Sequence, residues 1–219
     1  MMLNLLALFF CQACTSSKVK EKNHAKAMVA IEQGDIKQAL THLDKVIKAE
    51  PLPHNIALKG TLLYQTHQFQ ESKRIFERLL KNKQLSPTMR AEIMNNYACC
   101  LNQLGEHWHA QMLWQQLANN SHYQTKEVAW FNLGMLSLKE SKQLERWNQP
   151  QSKKIARVAV KRFDQALKKE PHYIDALFYQ AQAYVLSKQD KLAVQSLKKV
   201  LSIAPDHQAA HELMIKCSA

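Results

Sequence analysis

Glycine and proline are scarce in this chain, at 4 and 6 of 219 residues. Four glycines cannot supply both turns and a phosphate-cradling loop, which sets aside the nucleotide-binding classes built on one. Little turn punctuation also favours long helices over many short strands. No central apolar run reaches the about 18 residues that a membrane-spanning helix needs, although 46% of the residues are hydrophobic. Acidic residues are the minority, 18 against 30 Lys and Arg, for a formal charge of +12. That balance fits an acidic partner, an anionic lipid surface, nucleic acid, or simply a lysine-rich solvated surface.

The five cysteines do not make a disulfide framework. Cys11 and Cys14 lie in an N-terminal apolar segment, Cys99 and Cys100 are adjacent, and Cys217 is near the C-terminus. Neighbours on a helix point about 100° apart, so a Cys99–Cys100 bond is geometrically poor. Cys100 reads as a small core residue and Cys99 as part of an inner surface.

Residues 1–14, MMLNLLALFFCQAC, are too short to span a bilayer and have the length of a signal-peptide core. An apolar core, then Ala13, Cys14 and the Thr15–Ser16–Ser17 tether, resembles a bacterial lipoprotein signal. The resemblance implies cleavage before Cys14, lipid on its thiol, and a tether over 15–19. Thr15, in place of an inner-membrane-retaining Asp, implies the periplasmic side of the outer membrane. Cys11 three residues earlier and the lack of a basic residue ahead of the apolar core depart from the pattern. The alternative is an apolar N-terminal helix packed on the domain.

Beyond the tether the chain repeats itself. Ala91 to Leu117 reads as two amphipathic helices joined at Gly105, a residue that tolerates the left-handed conformation closing a helix. Small residues, Ala98 and Ala110, mark the close approach. Such a hairpin cannot bury its apolar face alone, so it needs stacked neighbours. The same small–small–aromatic–Pro order recurs near a 34-residue period. The expected repeats are 20–52 (Ala27, Gly34, Ala39, Leu43), 53–86 (Gly60, Ser72, Phe76), 91–124, 127–173 and 174–205 (Ala181, Ala193, Leu197), with a capping helix over 206–217. Asp206 is the expected N-cap of that last helix, with His207, His211 and Glu212 facing outward.

The fourth copy is irregular. Trp130, Leu133 and Gly134 open it, and Ala159, Phe163, Ala166 and Pro171 close it, but the segment between is 13 residues longer than the spacing allows. The expectation is an overrunning first helix, a loop within the insertion 139–154, and an early-starting second helix, with Pro150 as breaker and Ser152 as cap.

Trp130–Leu133–Gly134 and the phased anchors resemble the tetratricopeptide repeat (TPR) signature over about Lys20 to Cys217. The resemblance implies an all-α superhelix, or α-solenoid, of about five helix-turn-helix repeats. It also implies that ligands lie along the first helix of each pair. Carried onto this sequence, the groove residues are Tyr64, Asn95, Cys99, Asn102, Phe131, Met135, Leu138, Phe178 and Gln182, some shared with the core. The lysine and asparagine set that clamps acidic chaperone tails is not matched.

No catalytic constellation stands out. HExxH is absent. His207 and His211 share a helix face, but no third ligand completes a metal site. The reading is a non-enzymatic binding protein, with no cofactor, metal, small-molecule substrate or nucleic acid. Basic charge collects from Lys139 to Arg162, eight Lys and Arg against two Glu, with Lys139, Lys142, Arg146, Lys153 and Lys154 around Trp147. That is either a docking arm for an acidic partner or lipid headgroups, or a solvated loop.

Asn95–Asn96–Tyr97, Trp114, Leu117, His122–Tyr123 and Asn132–Leu133–Gly134 resemble the PilW/PilF family of type IV pilus biogenesis and stability lipoproteins. The insertion departs from that family, and Asn102 and Leu136 stand where some members carry a cysteine pair. The resemblance implies an outer-membrane scaffold that binds the secretin and assists its localisation or assembly. A general periplasmic adaptor recruiting envelope proteins, or a cytosolic protein-binding cofactor, remain the alternatives.

Overall fold

In a computed structural model, residues 20–218 are described. The lipidation candidate Cys14 and the tether 15–19 lie outside them. Among the described residues every regular element is a helix, and none is long and apolar enough to cross a membrane. In order they are α1 over 20–32, α2 Ile36–Ala49, α3 Pro53–Gln65, α4 Phe69–Leu80, α5 Pro87–Gln103, α6 His107–Ala118, α7 Lys126–Leu144, α8 Gln149–Lys169, α9 Ile174–Leu186, α10 Asp190–Ile203 and α11 Gln208–Ser218. The chain divides into two compact units at Gly105. The first holds α1 to α5 and the second α6 to α11.

Each unit is built from helix pairs packed through small residues. In the first, Ala27, Ala30, Ala39 and Leu43 are buried together with Leu62. Gly60 lies against Phe76 so closely that a Cβ there would sit 2.8 Å from the ring. The second unit repeats this contact at Gly134, where a Cβ would be 2.5 Å from Phe163. In the last pair Ala181, Ala193 and Leu197 take the same places. Small residues matter here because close packing leaves no room for an added methyl.

The turns follow one rule. The residue seven after each first-helix anchor is left-handed: Gly34 (φ 75°), His67 (φ 61°), Gly105 (φ 83°) and Lys188 (φ 61°). In three of them the residue's own amide and the next one close the helix with paired bonds, for example Lys188 N–H to Val185 O at 2.9 Å and Gln189 N–H to Tyr184 O at 2.9 Å. This is the Schellman arrangement, which satisfies carbonyls the helix end would orphan.

Repeat four breaks that rule, and the break explains its length. Seven residues after Gly134 stands Ser141, which is helical and buried. Its hydroxyl donates to Ser152 O (2.9 Å), and the Ser152 hydroxyl donates back to Ser141 O (2.8 Å). Helix α7 therefore runs through the usual turn to Leu144, and α8 begins at Gln149. The overrun and early start match the spacing, but the capping does not. Asn148 caps α8 by accepting from Gln151 N–H at 3.1 Å, Ser152 is spent inside, and Pro150 sits in the first turn, where its missing N–H is harmless.

Two other boundaries move. Helix α5 starts at Pro87 rather than Ala91, because Ser86 caps it by accepting from Met89 N–H (3.2 Å). At α11 the cap is His207, not Asp206: its Nδ1 accepts from Ala210 N–H at 3.1 Å, and its half-buried ring lies 4.9 Å from Phe178. His211 is hydrogen-bonded to Pro205 O (2.8 Å). The two histidines are thus engaged separately, and no cluster of three potential metal ligands occurs among the described residues.

Candidate protein-binding faces

In the first unit, α3 and α5 present a polar face. The Tyr64 hydroxyl accepts from Gln103 Nε2 at 3.2 Å, and Asn96 Nδ2 donates to Thr61 Oγ1 at 3.4 Å. Asn95, Cys99 and Asn102 are half-buried on the same helix. Four-residue spacing puts Asn95, Cys99 and Gln103 on one stripe, and Cys99 lies near enough to Tyr64 to bear on its ionisation. Gln103 lies outside the repeat anchors and the expected groove set, and only the fold brings it to Tyr64.

Burial keeps this face from being reactive. It pushes the Cys99 thiol up to about 12, with neighbouring Cys100 adding to the shift. Burial also raises Cys100, whose sulfur lies 3.2 Å from Ser72 Oγ. A thiol so raised is protonated near neutrality and is a poor nucleophile. Burial likewise raises Tyr64 above the usual phenol range.

In the second unit the corresponding helices are α7 and α9. Phe131 stands in an aromatic cluster, its ring 5.0 Å from Tyr173 and 5.9 Å from both Phe163 and Tyr179. Met135 packs partly exposed beside it. Leu138 is 1% exposed and belongs to the core, so it offers no groove surface. Phe178 is half-buried between Tyr179 and His207. Gln182 is brought together with Lys142: Lys142 Nζ donates to Gln182 Oε1 at 2.7 Å. A groove residue and a residue of the basic arm therefore share one contact.

Not all of the basic run is available. Arg162 turns back on α7, donating to Leu133 O (2.9 Å) and Ser137 Oγ (2.5 Å), and burial lowers it from the ordinary arginine value. It remains a cation but is spent on packing. Lys139, Lys142, Arg146, Trp147 and Lys154 are exposed, and Lys153 is half-buried. On the far side of the unit a hydrogen-bond chain ties three helices: Gln180 Nε2 to Asp164 Oδ1 (2.7 Å) and Ser196 Oγ to Gln180 Oε1 (2.8 Å). It floors an open cleft of about 580 Å³ rimmed by Lys161, Lys168 and Lys199.

The fold class these pairs define is the all-α tetratricopeptide repeat solenoid. Residues 156–217 match the sequence model of the tetratricopeptide repeat. Among solved structures the chain resembles PilW, described as a widely conserved type IV pilus biogenesis factor. The TM-score is 0.67 at 19% identity, over 90% of this chain and 91% of that one. It also resembles YrrB, described as a TPR protein with an unusual peptide-binding site (TM-score 0.59, 18% identity, 93% and 96% covered). A third likeness is to MamA of Desulfovibrio magneticus RS-1 (TM-score 0.61, 13% identity, 87% and 97% covered). A comparison with curated proteins finds no match.

Proposed function

We propose that the chain is a non-enzymatic protein-binding scaffold of the type IV pilus machinery. In this reading Cys14 holds it by lipid at the periplasmic side of the outer membrane, and the faces of α3/α5 and α7/α9 engage the secretin and assist its assembly. The observation that carries the reading is the likeness of the fold to PilW over 90% of the chain, together with the Asn95–Asn96–Tyr97 resemblance in sequence. The half-buried mixture of Tyr64, Asn95, Asn102, Phe131, Phe178 and Gln182 supports it, because such a face can take an extended or helical segment of another protein. A lipid anchor would raise the local concentration of scaffold and client at one membrane.

Two experiments test its parts separately. Cys14→Ala should abolish incorporation of labelled palmitate and release the protein from membranes; unchanged labelling would remove the anchor from the account. Deletion should reduce surface pili, and normal piliation would remove the pilus role.

A further inference from the structure

Past the Lys142–Gln182 contact, the α7–α8 overhang takes no part in the α7/α9 face. Helix α8 leads its anchor by Gln149 to Phe163, whereas α10 leads the equivalent Leu197 only from Asp190. The extra two turns amount to roughly 10 Å at 1.5 Å per residue. They are held stiffly by the Ser141–Ser152 pair, by Lys142 on Gln182 at the root and by the Asn148 cap at the apex.

At the apex Trp147 is 79% exposed, with the Arg146 guanidinium 5.3 Å from its ring centroid. Lys139, Lys154 and Arg157 are exposed around it, Lys153 is half-buried, and only Glu140 and Glu145 oppose them. None of the ion pairs among the described residues uses these basic groups. Val158 adds an exposed apolar side chain on α8.

Solvent is a poor environment for an indole that stands this far out. A bilayer interface suits it: tryptophan settles at headgroup level while flanking Lys and Arg meet phosphates. An acidic protein would satisfy the cations, but a single indole on a projecting tip fits a deformable surface better than a preformed pocket. We infer that the α7–α8 overhang is a finger that docks on an anionic phospholipid surface, with Trp147 in the headgroup layer. The inference depends neither on lipidation of Cys14 nor on the protein partner.

The test uses the full chain carrying Cys14→Ala and phosphatidylcholine vesicles with or without phosphatidylglycerol. Any contribution of the N-terminal apolar segment is common to all variants. Sedimentation should show binding that needs phosphatidylglycerol and weakens with salt. Each basic residue near an anionic surface is worth about 1 kcal/mol, so the Arg146→Gln, Lys153→Gln, Lys154→Gln triple variant should bind on the order of 100-fold more weakly. Brominated lipid should quench tryptophan fluorescence in the parent and much less in Trp147→Phe, which leaves the fold unstrained. Equal binding of parent and triple variant, no dependence on phosphatidylglycerol, or undiminished quenching in Trp147→Phe would overturn the inference. So would binding to poly-glutamate but not to vesicles, which would assign the finger to an acidic protein.

Discussion

Ser141 and Ser152 exchange hydroxyl-to-carbonyl hydrogen bonds across α7 and α8, each donating to the other's backbone at 2.9 and 2.8 Å. The pair is buried and sits where the other described repeats turn. It converts a turn into two further turns of paired helix. Each single substitution removes one of these bonds and the shared 3.1 Å hydroxyl–hydroxyl contact, so Ser141→Ala or Ser152→Ala should cost about 1–2 kcal/mol in urea unfolding. Removing both should cost less than the sum of the singles, and strict additivity would deny the coupling.

Gly134 and Phe163 give a sharper steric test. A Cβ at 134 would lie 2.5 Å from the ring. Gly134→Ala should therefore lose about 1–3 kcal/mol despite the better helix propensity of alanine. Phe163→Leu, itself destabilising, should make Gly134→Ala nearly harmless in the double variant. An additive double variant would mean that the ring is not what limits the site.

Lys188 adopts φ 61°, a conformation that costs a side-chain-bearing residue about 1–2 kcal/mol relative to glycine. The greater freedom of glycine in the unfolded chain offsets part of this. Lys188→Gly should raise stability by about 0.5–1 kcal/mol, read as a higher urea midpoint. His67→Gly is the less clean comparison, because His67 also packs its ring 5.5 Å from Phe69.

Cys99 supplies a pH dependence. Burial raises its thiol from the ordinary cysteine range to about 12. An acid held protonated in the native state favours the unfolded chain once that chain can ionise. Its contribution is thus fully present below about pH 9 and is lost as pH rises towards 12. The melting temperature should fall across that window, and Cys99→Ala should flatten part of the fall. In the native protein Cys99 should react with thiol reagents far more slowly at pH 8 than after unfolding.

The repeat architecture was legible because its determinants are local and periodic. Gly60, Gly134 and Ala181 recur in phase with Ser72, Ala159 and Ala193, and the structure uses them as close contacts. What escaped was chemistry with two readings. A serine before a helical run reads as a cap, so Ser152 drew the role that Asn148 performs. Asp206 read as a cap for the same reason, and a histidine ring took its place. Charge along a sequence does not say which cation turns inward, so Arg162 counted with the basic arm although it closes on α7. Leu138 has the spacing of a groove residue, but its burial is decided by how α8 packs back on α7, which the spacing within α7 does not show. The Lys142–Gln182 contact joins residues 40 apart, and no local pattern announces it.

The proposed role is to promote assembly of the secretin through the faces of the first helices. The most direct measurement is the amount of detergent-resistant secretin multimer in membranes of a deletion strain. The strain is complemented with the wild-type chain or with Asn102→Arg, a change on the half-buried α5 face. The account predicts that multimers fall on deletion and return with the wild type. They should stay low with a folded, normally abundant Asn102→Arg variant. Multimers at full level in the deletion strain would contradict it.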